Sequence, residues 1–156
     1  MKRSFLFVLM VACLILIPAA LPAQTQADEE ELVRSQLQTG KKAIIADNMQ
    51  FTEAESQAFW PLYNEFQQAK MKINERTVRL INDYLSNYEK MTDEKAGAIV
   101  KDYVALEKER ADLKASFLPR FSKVLPAKKV ARYYQLENKI EAIIKYELSK
   151  EVPLFK

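Results

Sequence analysis

After Ala27, apolar side chains recur at steps of three and four residues, and no stretch of the chain alternates apolar and β-branched with polar positions. Such steps place apolar side chains on one face of a helix, whereas a half-buried strand needs alternation. Only two glycines occur, Gly40 and Gly97, and each stands alone inside a helical pattern. The sequence therefore predicts an all-α fold in which turn residues occur only at a few joints.

Two of four main helices are predicted in the first half of the chain. The first runs from the acidic turn at Asp28 to about Asp47, since acidic side chains suit the positive end of a helix. The second follows a capping box, in which Thr52 and Glu55 bond each other's backbone N–H groups, and runs to about Tyr88. Pro61 removes one backbone donor from this helix and predicts a kink near Gln57–Pro61. The predicted apolar positions of the second helix are Phe59, Leu62, Phe66, Ala69, Ile73, Leu80 and Tyr84.

The other two helices are predicted beyond a turn at Thr92, which caps the third helix. Pro119 is expected to bend or end the third helix, and Pro126 suits the first position of the fourth, which Pro153 stops. Arg110 falls on the apolar face of the third helix and must pair or extend to water. The predicted apolar positions are Ala96, Ile99, Tyr103, Leu106, Leu113, Phe117 and Phe121 in the third helix, and Val130, Tyr133, Ile140, Ile144 and Leu148 in the fourth.

Long helices with one apolar face cannot bury that face alone, and two arrangements would cover it. One is a set of long, coiled-coil-like antiparallel hairpins that pair with a second copy of the chain as an extended dimer. The other is a compact four-helix bundle. The predicted faces are longer than a chain of this size needs for a compact core, which favours the homodimer.

The first 23 residues have the pattern of a Sec-type signal peptide. Lys2 and Arg3 precede the apolar run Phe5–Ile17, and small residues with proline follow it. Thirteen apolar residues span only about 20 Å as a helix, short of a bilayer core of about 30 Å. Cleavage is predicted after Ala23, or else after Ala27. The domains are then a signal peptide at 1–23 and one all-helical domain at 24–156, exported to the periplasm.

Cys13 allows a competing interpretation, because Met10-Val11-Ala12-Cys13 loosely resembles a lipoprotein box. The apolar run continues past Cys13 to Ile17, whereas a lipidated cysteine is usually followed by polar residues. We therefore expect cleavage near Ala23, which removes the one cysteine of the sequence together with the signal peptide.

Composition excludes several classes of function for the exported chain. The sequence has no histidine, so without Cys13 it lacks the common metal ligands and imidazole- or thiol-based nucleophiles. We therefore expect that the protein is not an enzyme and that it binds neither a cofactor nor a metal ion. Removing Lys2 and Arg3 leaves 22 basic against 21 acidic residues (24 − 2 = 22). With this balance we expect no nucleic-acid partner and at most peripheral contact with a membrane.

Three helix starts share one formula, and the one at Met91-Thr92-x-x-Lys95 is interpreted as an ordinary helix start. The sequences of the other two resemble a known family. The first is Phe51-Thr52-x-x-Glu55 within FTEAESQAFWPLYNEF, and the second is Leu125-Pro126-x-x-Lys129 within LPAKKVARYYQLE. They resemble the paired LTxxQ motifs of the Spy/CpxP family of small periplasmic helical stress proteins. The first copy keeps Thr52 and has Phe for Leu and Glu for Gln. The second keeps Leu125 and has Pro for Thr and Lys for Gln.

The resemblance covers most of the chain from Ile44 to about Leu148 and implies both a fold and a function. It implies a cradle-like antiparallel dimer of kinked helices with a concave binding face. It implies an ATP-independent chaperone, or a sensor that restrains envelope-stress signalling. Metal-binding relatives use histidine or cysteine, so the resemblance implies no metal site in this chain.

Aromatic and basic residues around the two motifs are the candidate binding residues. The aromatic side chains are either core packing or part of an exposed surface that contacts unfolded clients. No acidic residue lies between Asp112 and Glu137, and Lys128 and Lys129 occupy the positive first turn of a helix. That placement is unfavourable by about 0.3–1 kcal/mol per charge unless a partner or the acidic turn Asp28–Glu31 neutralises it. The candidate set is Phe51, Thr52, Trp60, Pro61, Tyr63, Leu125, Lys128, Lys129, Arg132, Tyr133 and Tyr134.

The function that the sequence favours is chaperone-like binding of unfolded or misfolded envelope proteins without ATP. The alternative is an accessory stress sensor that docks on the periplasmic domain of a membrane signalling protein. A purely structural coiled coil of the envelope is a third, more distant possibility.

Overall fold

The structure, a computed structural model, describes residues 39–154. The signal peptide, its cleavage positions, Cys13 and the predicted helix start at Asp28 lie outside these residues. Contacts between Cα atoms divide the chain into Met1–Gly40 and Lys41–Lys156, and the packing described below is that of the second unit.

Within residues 39–154 the chain is helical without strands, which confirms the predicted all-α class. The described part of the first helix, α1, covers residues 39–49. Helix α2 is Glu53–Asn87 and continues into a short 3₁₀ turn at Tyr88–Lys90. Helices α3 and α4 are Asp93–Val124 and Ala127–Glu151.

The predicted capping residues begin α2 and α3. Thr52 Oγ1 accepts a hydrogen bond from the Glu55 backbone N–H at 3.3 Å, and Glu55 Oε2 accepts one from the Thr52 N–H at 2.8 Å. The capping box is therefore complete. Thr92 Oγ1 accepts from the Lys95 N–H at 3.2 Å, as expected of an N-cap.

The proline positions differ in part from the prediction. Pro119 does not end α3, which continues to Val124, and Leu125 still donates a backbone hydrogen bond to Phe121. Phe117 and Phe121 are buried on either side of Pro119, so core packing offsets its local cost. Pro126 is the N-cap of α4 rather than its first residue. Pro61 lies inside α2 as predicted, and the kink there stays a prediction.

Paired side chains show how the helices run past one another. Arg76 of α2 pairs with Glu109 of α3, and nearer the start of α2 Glu65 pairs with Arg120. Because the partner numbers fall as the α2 numbers rise, α2 and α3 are antiparallel. Helix α4 reverses again, and its Lys145 Nζ lies 2.7 Å from a Glu107 oxygen of α3.

The apolar core lies where α2 begins, α3 ends and α4 begins, and α1 packs against it. The rings of Phe59 and Tyr133 meet edge to face with centroids 5.1 Å apart, and those of Phe66 and Phe117 with centroids 5.2 Å apart. Such aromatic pairs contribute beyond the area that they bury. The buried members are Ile45, Met49, Phe59, Tyr63, Phe66, Phe117, Phe121, Leu125, Val130 and Tyr133.

Apolar positions farther from this core are less buried than predicted. Tyr103 of α3 and Ile144 and Leu148 of α4 are exposed, so their predicted burial was wrong. In that stretch α3 and α4 meet through the exposed pair of Glu107 and Lys145, which leaves these apolar side chains facing solvent. None of the helices within residues 39–154 is both long and apolar enough to cross a membrane.

Candidate functional site

The two motif copies, 74 positions apart in sequence, meet in the folded chain. The Lys129 ammonium donates to the Glu55 carboxylate and to the Gln50 carbonyl oxygen, the latter at 2.9 Å. The hydrogen bond from Lys129, together with that from the Thr52 N–H, holds the pKa of the Glu55 carboxyl below its usual value. Glu55 therefore closes the cap of α2 and also neutralises one of the lysines at the start of α4.

Three of the predicted binding residues belong to the core instead of to an exposed surface. Tyr63, Leu125 and Tyr133 are 2%, 5% and 1% exposed. Burial raises the pKa of both tyrosines, and nearby Glu137 adds to that effect. The packing interpretation therefore holds for these three side chains, because their neighbours in the core cover them.

Three other predicted residues line an open groove between α1 and α2. Phe51 is half-buried with its ring 4.6 Å from that of Phe59, and the half-buried Trp60 donates from Nε1 to Ser56 Oγ at 3.0 Å. Pro61 is exposed nearby, next to Trp60 in α2. The groove has a volume of about 430 Å³, and Phe51, Thr52 and Trp60 are among its lining residues.

A second open groove separates the end of α3 from the start of α4. Its volume is about 290 Å³. Tyr134, the remaining predicted aromatic, lines it and donates from its hydroxyl to the Lys114 carbonyl at 2.7 Å. Burial raises the Tyr134 pKa to about 12. The lining residues are Leu118, Ser122, Ala127, Val130, Ala131 and Tyr134.

Ion pairs neutralise only some of the basic residues that lie between Asp112 and Glu137. Arg120 binds Glu65, with one nitrogen–oxygen distance of 2.6 Å, and its guanidinium lies 4.5 Å from the centre of the Phe117 ring. Lys114 binds Glu141 at 2.8 Å, and Lys129 binds Glu55. By contrast, the exposed cations Lys123, Lys128 and Arg132 form no ion pair with any residue in 39–154.

A buried layer of ion pairs lies next to the aromatic core, and the sequence analysis did not foresee it. Glu137, only 1% exposed, accepts from Lys41 and Lys70, each at 2.7 Å. Glu141 lies 3.3 Å from Lys70 and 3.5 Å from Arg110. Arg110, the one member expected to need a partner, also donates to Asn74 and Thr77 at 2.6 and 3.2 Å.

The pKa values in this layer follow from burial and charge together. Burial alone would raise the pKa of Glu137, but the charges of Lys70 and Lys41 and their hydrogen bonds lower it. The same balance, with Lys114 and Lys70 as partners, lowers the Glu141 pKa to about 2. Burial lowers the pKa of Lys41, and the Glu137 carboxylate opposes this only in part. Both carboxylates therefore stay ionised at neutral pH.

The spacing of the acidic residues along α4 indicates this ion-pair layer at the level of sequence. Glu137 and Glu141 follow Tyr133 by four and eight positions, so they lie on the same helix face as Tyr133 and Val130. Lys70 continues the face of Tyr63 and Phe66 in the same way. Charges of opposite sign on the apolar faces of different helices indicate buried pairs.

No group of three or more acidic side chains within residues 39–154 is arranged to hold a metal ion. No family model, curated protein or solved structure matches this chain.

Proposed function

We propose that the protein binds unfolded or misfolded envelope proteins in the periplasm without ATP and without enzymatic chemistry. The observation that carries the proposal is the groove between α3 and α4, an open apolar surface, together with cations in the same turns of α4 that pair with no residue in 39–154. Leu118 is 45% exposed at this groove, and the exposed Lys128 and Arg132 directly follow the lining residues Ala127 and Ala131.

This combination suits unfolded chains better than one folded ligand. Apolar lining binds segments that a folded protein would bury, and unpaired cations attract acidic segments and speed association. Neither contact requires a particular sequence, so a range of clients can bind. The resemblance of the two motif copies to the Spy/CpxP family agrees with this proposal.

The proposed assembly is a homodimer of kinked antiparallel hairpins with a cradle-like face. Apolar side chains exposed on α3 and α4 beyond the ion-pair layer are available for contact with a second copy. They include Val100, Tyr103 and Val104 of α3 and Ile143, Ile144 and Tyr146 of α4.

The sensor alternative is favoured by the same unpaired cations, because a single acidic domain would also bind them. Saturable binding to one folded periplasmic domain, without suppression of aggregation, would support the sensor. Suppression of aggregation for several unrelated proteins would support the chaperone.

The double variant Lys128→Gln, Arg132→Gln tests the proposal. With reduced, carboxymethylated α-lactalbumin as an acidic unfolded probe, we expect association to slow several-fold at low salt and its salt dependence to flatten. The melting temperature should stay unchanged or rise slightly, because neither side chain pairs within the described residues and Lys128 lies at the positive end of α4.

Lys72→Gln, Lys101→Gln is the matched control, since it removes two exposed cations elsewhere and should change the rate much less. Lys129→Gln should lower stability instead, because it removes the ion pair with Glu55 that joins the two motif copies. Equal rates for wild type and the first double variant would contradict the assignment of this surface.

A further inference from the structure

The described part of helix α1, residues 39–49, packs against the aromatic core. Within it the buried apolar side chains are Ile45 and Met49, 0% and 1% exposed, and both belong to that core. Lys41 lies one turn before Ile45 and binds Glu137 and Gln67 at 2.7 and 2.9 Å. The neighbouring Ile44 is 46% exposed, so α1 presents a single narrow apolar stripe to the core.

The joint between α1 and α2 has an unusual backbone conformation at one residue. Gln50 has a φ of 47°, and it is the one non-glycine residue with positive φ in the described chain. This left-handed region favours glycine and is uncommon for a long side chain. Directly after it, Phe51 packs on Phe59, and the Gln50 carbonyl is held by Lys129. The α2 side of the joint is therefore anchored independently of α1, and Gln50 is the residue through which α1 joins it.

Two polar groups next to the α1 packing differ in how well they are satisfied when α1 is in place. The Tyr133 hydroxyl is buried near Gln67 without a hydrogen bond of ordinary length. An unsatisfied buried hydroxyl is unfavourable, so a replacement for α1 that supplied a partner would gain from it. Burial lowers the pKa of the Lys41 ammonium, but its ion pair with Glu137 at 2.7 Å compensates in part for that burial. Of these two groups, the Tyr133 hydroxyl is thus the one left without a partner when α1 is in place.

We propose that α1 is a displaceable cover, and that the face beneath it, formed by Phe59, Tyr63, Phe66 and Tyr133 with Glu137 at its edge, is a second binding surface. Its partner is an amphipathic helical segment of a client that repeats the pattern of α1. That pattern is a cation followed by apolar side chains four and eight residues later, as in Lys41, Ile45 and Met49. This inference rests on the proposed function and specifies one kind of client segment.

The test uses a fluorescent synthetic peptide with the sequence of residues 39–51, added to the exported protein in which any Cys13 is replaced by serine. The peptide should bind weakly to wild type, because α1 occupies its site in the same chain. Ile45→Ala in the protein loosens α1 and should strengthen peptide binding by about tenfold. Ile44→Ala is the matched control, because it removes the same atoms from an exposed position and should leave binding unchanged.

A reversible cross-link tests the same cover, because the same doubly substituted protein is compared before and after reduction. Lys41→Cys and Gln67→Cys, joined by a reducible bismaleimide, should abolish peptide binding, and reduction should restore it. Arg76→Cys and Glu109→Cys, joined in the same way between α2 and α3, should leave binding intact. If circular dichroism shows that Ile45→Ala does not fold, the proposal is judged on the cross-linked Lys41→Cys, Gln67→Cys protein.

Peptide binding that is unaffected by the Lys41–Gln67 cross-link would overturn the proposal, as would the absence of binding to both wild type and Ile45→Ala. Carboxymethylated α-lactalbumin, tested in parallel, separates this inference from the proposed function. Binding of α-lactalbumin without any effect of the cross-link leaves the function standing and refutes the cover. If the cross-link abolishes peptide binding but α-lactalbumin does not bind, the cover stands and the proposed function is refuted.

Discussion

Glu137 places a carboxylate at a position of α4 where the helical spacing predicts an apolar side chain. Its two lysine partners, Lys41 and Lys70, come from different helices, so one residue links α1, α2 and α4. A buried charge is tolerated only when it is paired and hydrogen-bonded. The value of Glu137 to the fold therefore depends on keeping all of its partners.

Glu137→Gln should destabilise the protein by about 3–5 kcal/mol, because it keeps the shape of the side chain but leaves the buried Lys70 and the half-buried Lys41 short of a counter-charge. The measurement is the free energy of unfolding in urea at pH 7. Glu65→Gln is the control, since Glu65 also pairs between helices but is exposed, and it should change stability far less. If both variants lose the same free energy of unfolding, burial does not make the Glu137 ion pairs more important to stability than an exposed pair.

At the scale of helices, the start of α2 differs from the start of α3. Both have a threonine N-cap, but only α2 has a complete capping box, whose Glu55 also binds Lys129 of α4. Lys95, the corresponding residue of α3, binds Asp83 of α2 instead of closing a capping box. The cap of α2 is therefore part of the contact between the two motif copies. The cap of α3 follows an exposed turn and acts on its own helix.

Thr52→Ala and Thr92→Ala should each cost about 1 kcal/mol of stability, because each removes the acceptor for an N-terminal backbone N–H. Only Thr52→Ala should also weaken the link to α4. In a double-mutant cycle with Lys129→Gln, the Thr52 substitution should be non-additive and the Thr92 substitution additive. Additive results for both threonines would mean that the α2 cap and the Lys129 contact are independent.

Across the whole described molecule, an aromatic core and a layer of ion pairs lie next to each other. The layer contains the buried cations Lys70 and Arg110 and the buried carboxylates Glu137 and Glu141. Because these charges come from three long helices, their ionisation state affects the cohesion of the fold as a whole. Stability should consequently depend on pH more steeply on the acid side than exposed pairs alone would produce.

Acid should destabilise the protein through Glu141. Its pKa is about 2 in the folded chain against an ordinary value of 4.5. A lowered pKa stabilises the fold fully above about pH 4.5, and that stabilisation, roughly 3 kcal/mol, is lost as the pH falls towards 2. The measurement is the free energy of unfolding in urea between pH 7 and 2.

Glu141→Gln should lower stability at pH 7 and flatten the loss in acid. Glu147→Gln replaces an exposed carboxylate on the same helix and should leave the profile close to wild type. A wild-type profile that is flat from pH 5 to 2 would refute the assigned role of the ion-pair layer.

The placement of the helices, the two threonine caps and the need of Arg110 for partners follow from the sequence alone. These features depend on spacing and chemistry within a few neighbouring residues. Sequence spacing also identified the two motif copies and the candidate residues around them. It did not separate Trp60 and Tyr134, which line open grooves, from Tyr63 and Tyr133, which are buried, because all four lie near apolar faces.

Only the tertiary structure decided which charges are buried and which remain available. The pairs between Lys129 and Glu55, Lys70 and Glu137, and Lys114 and Glu141 join residues far apart in sequence, and one helix's periodicity cannot specify its partner. Tertiary packing also decided that Lys128 and Arg132 remain unpaired among the described residues while Lys129 does not. The physical reason is that the energy of a charge depends on the distance to its counter-charge and on the surrounding solvent, and folding sets both.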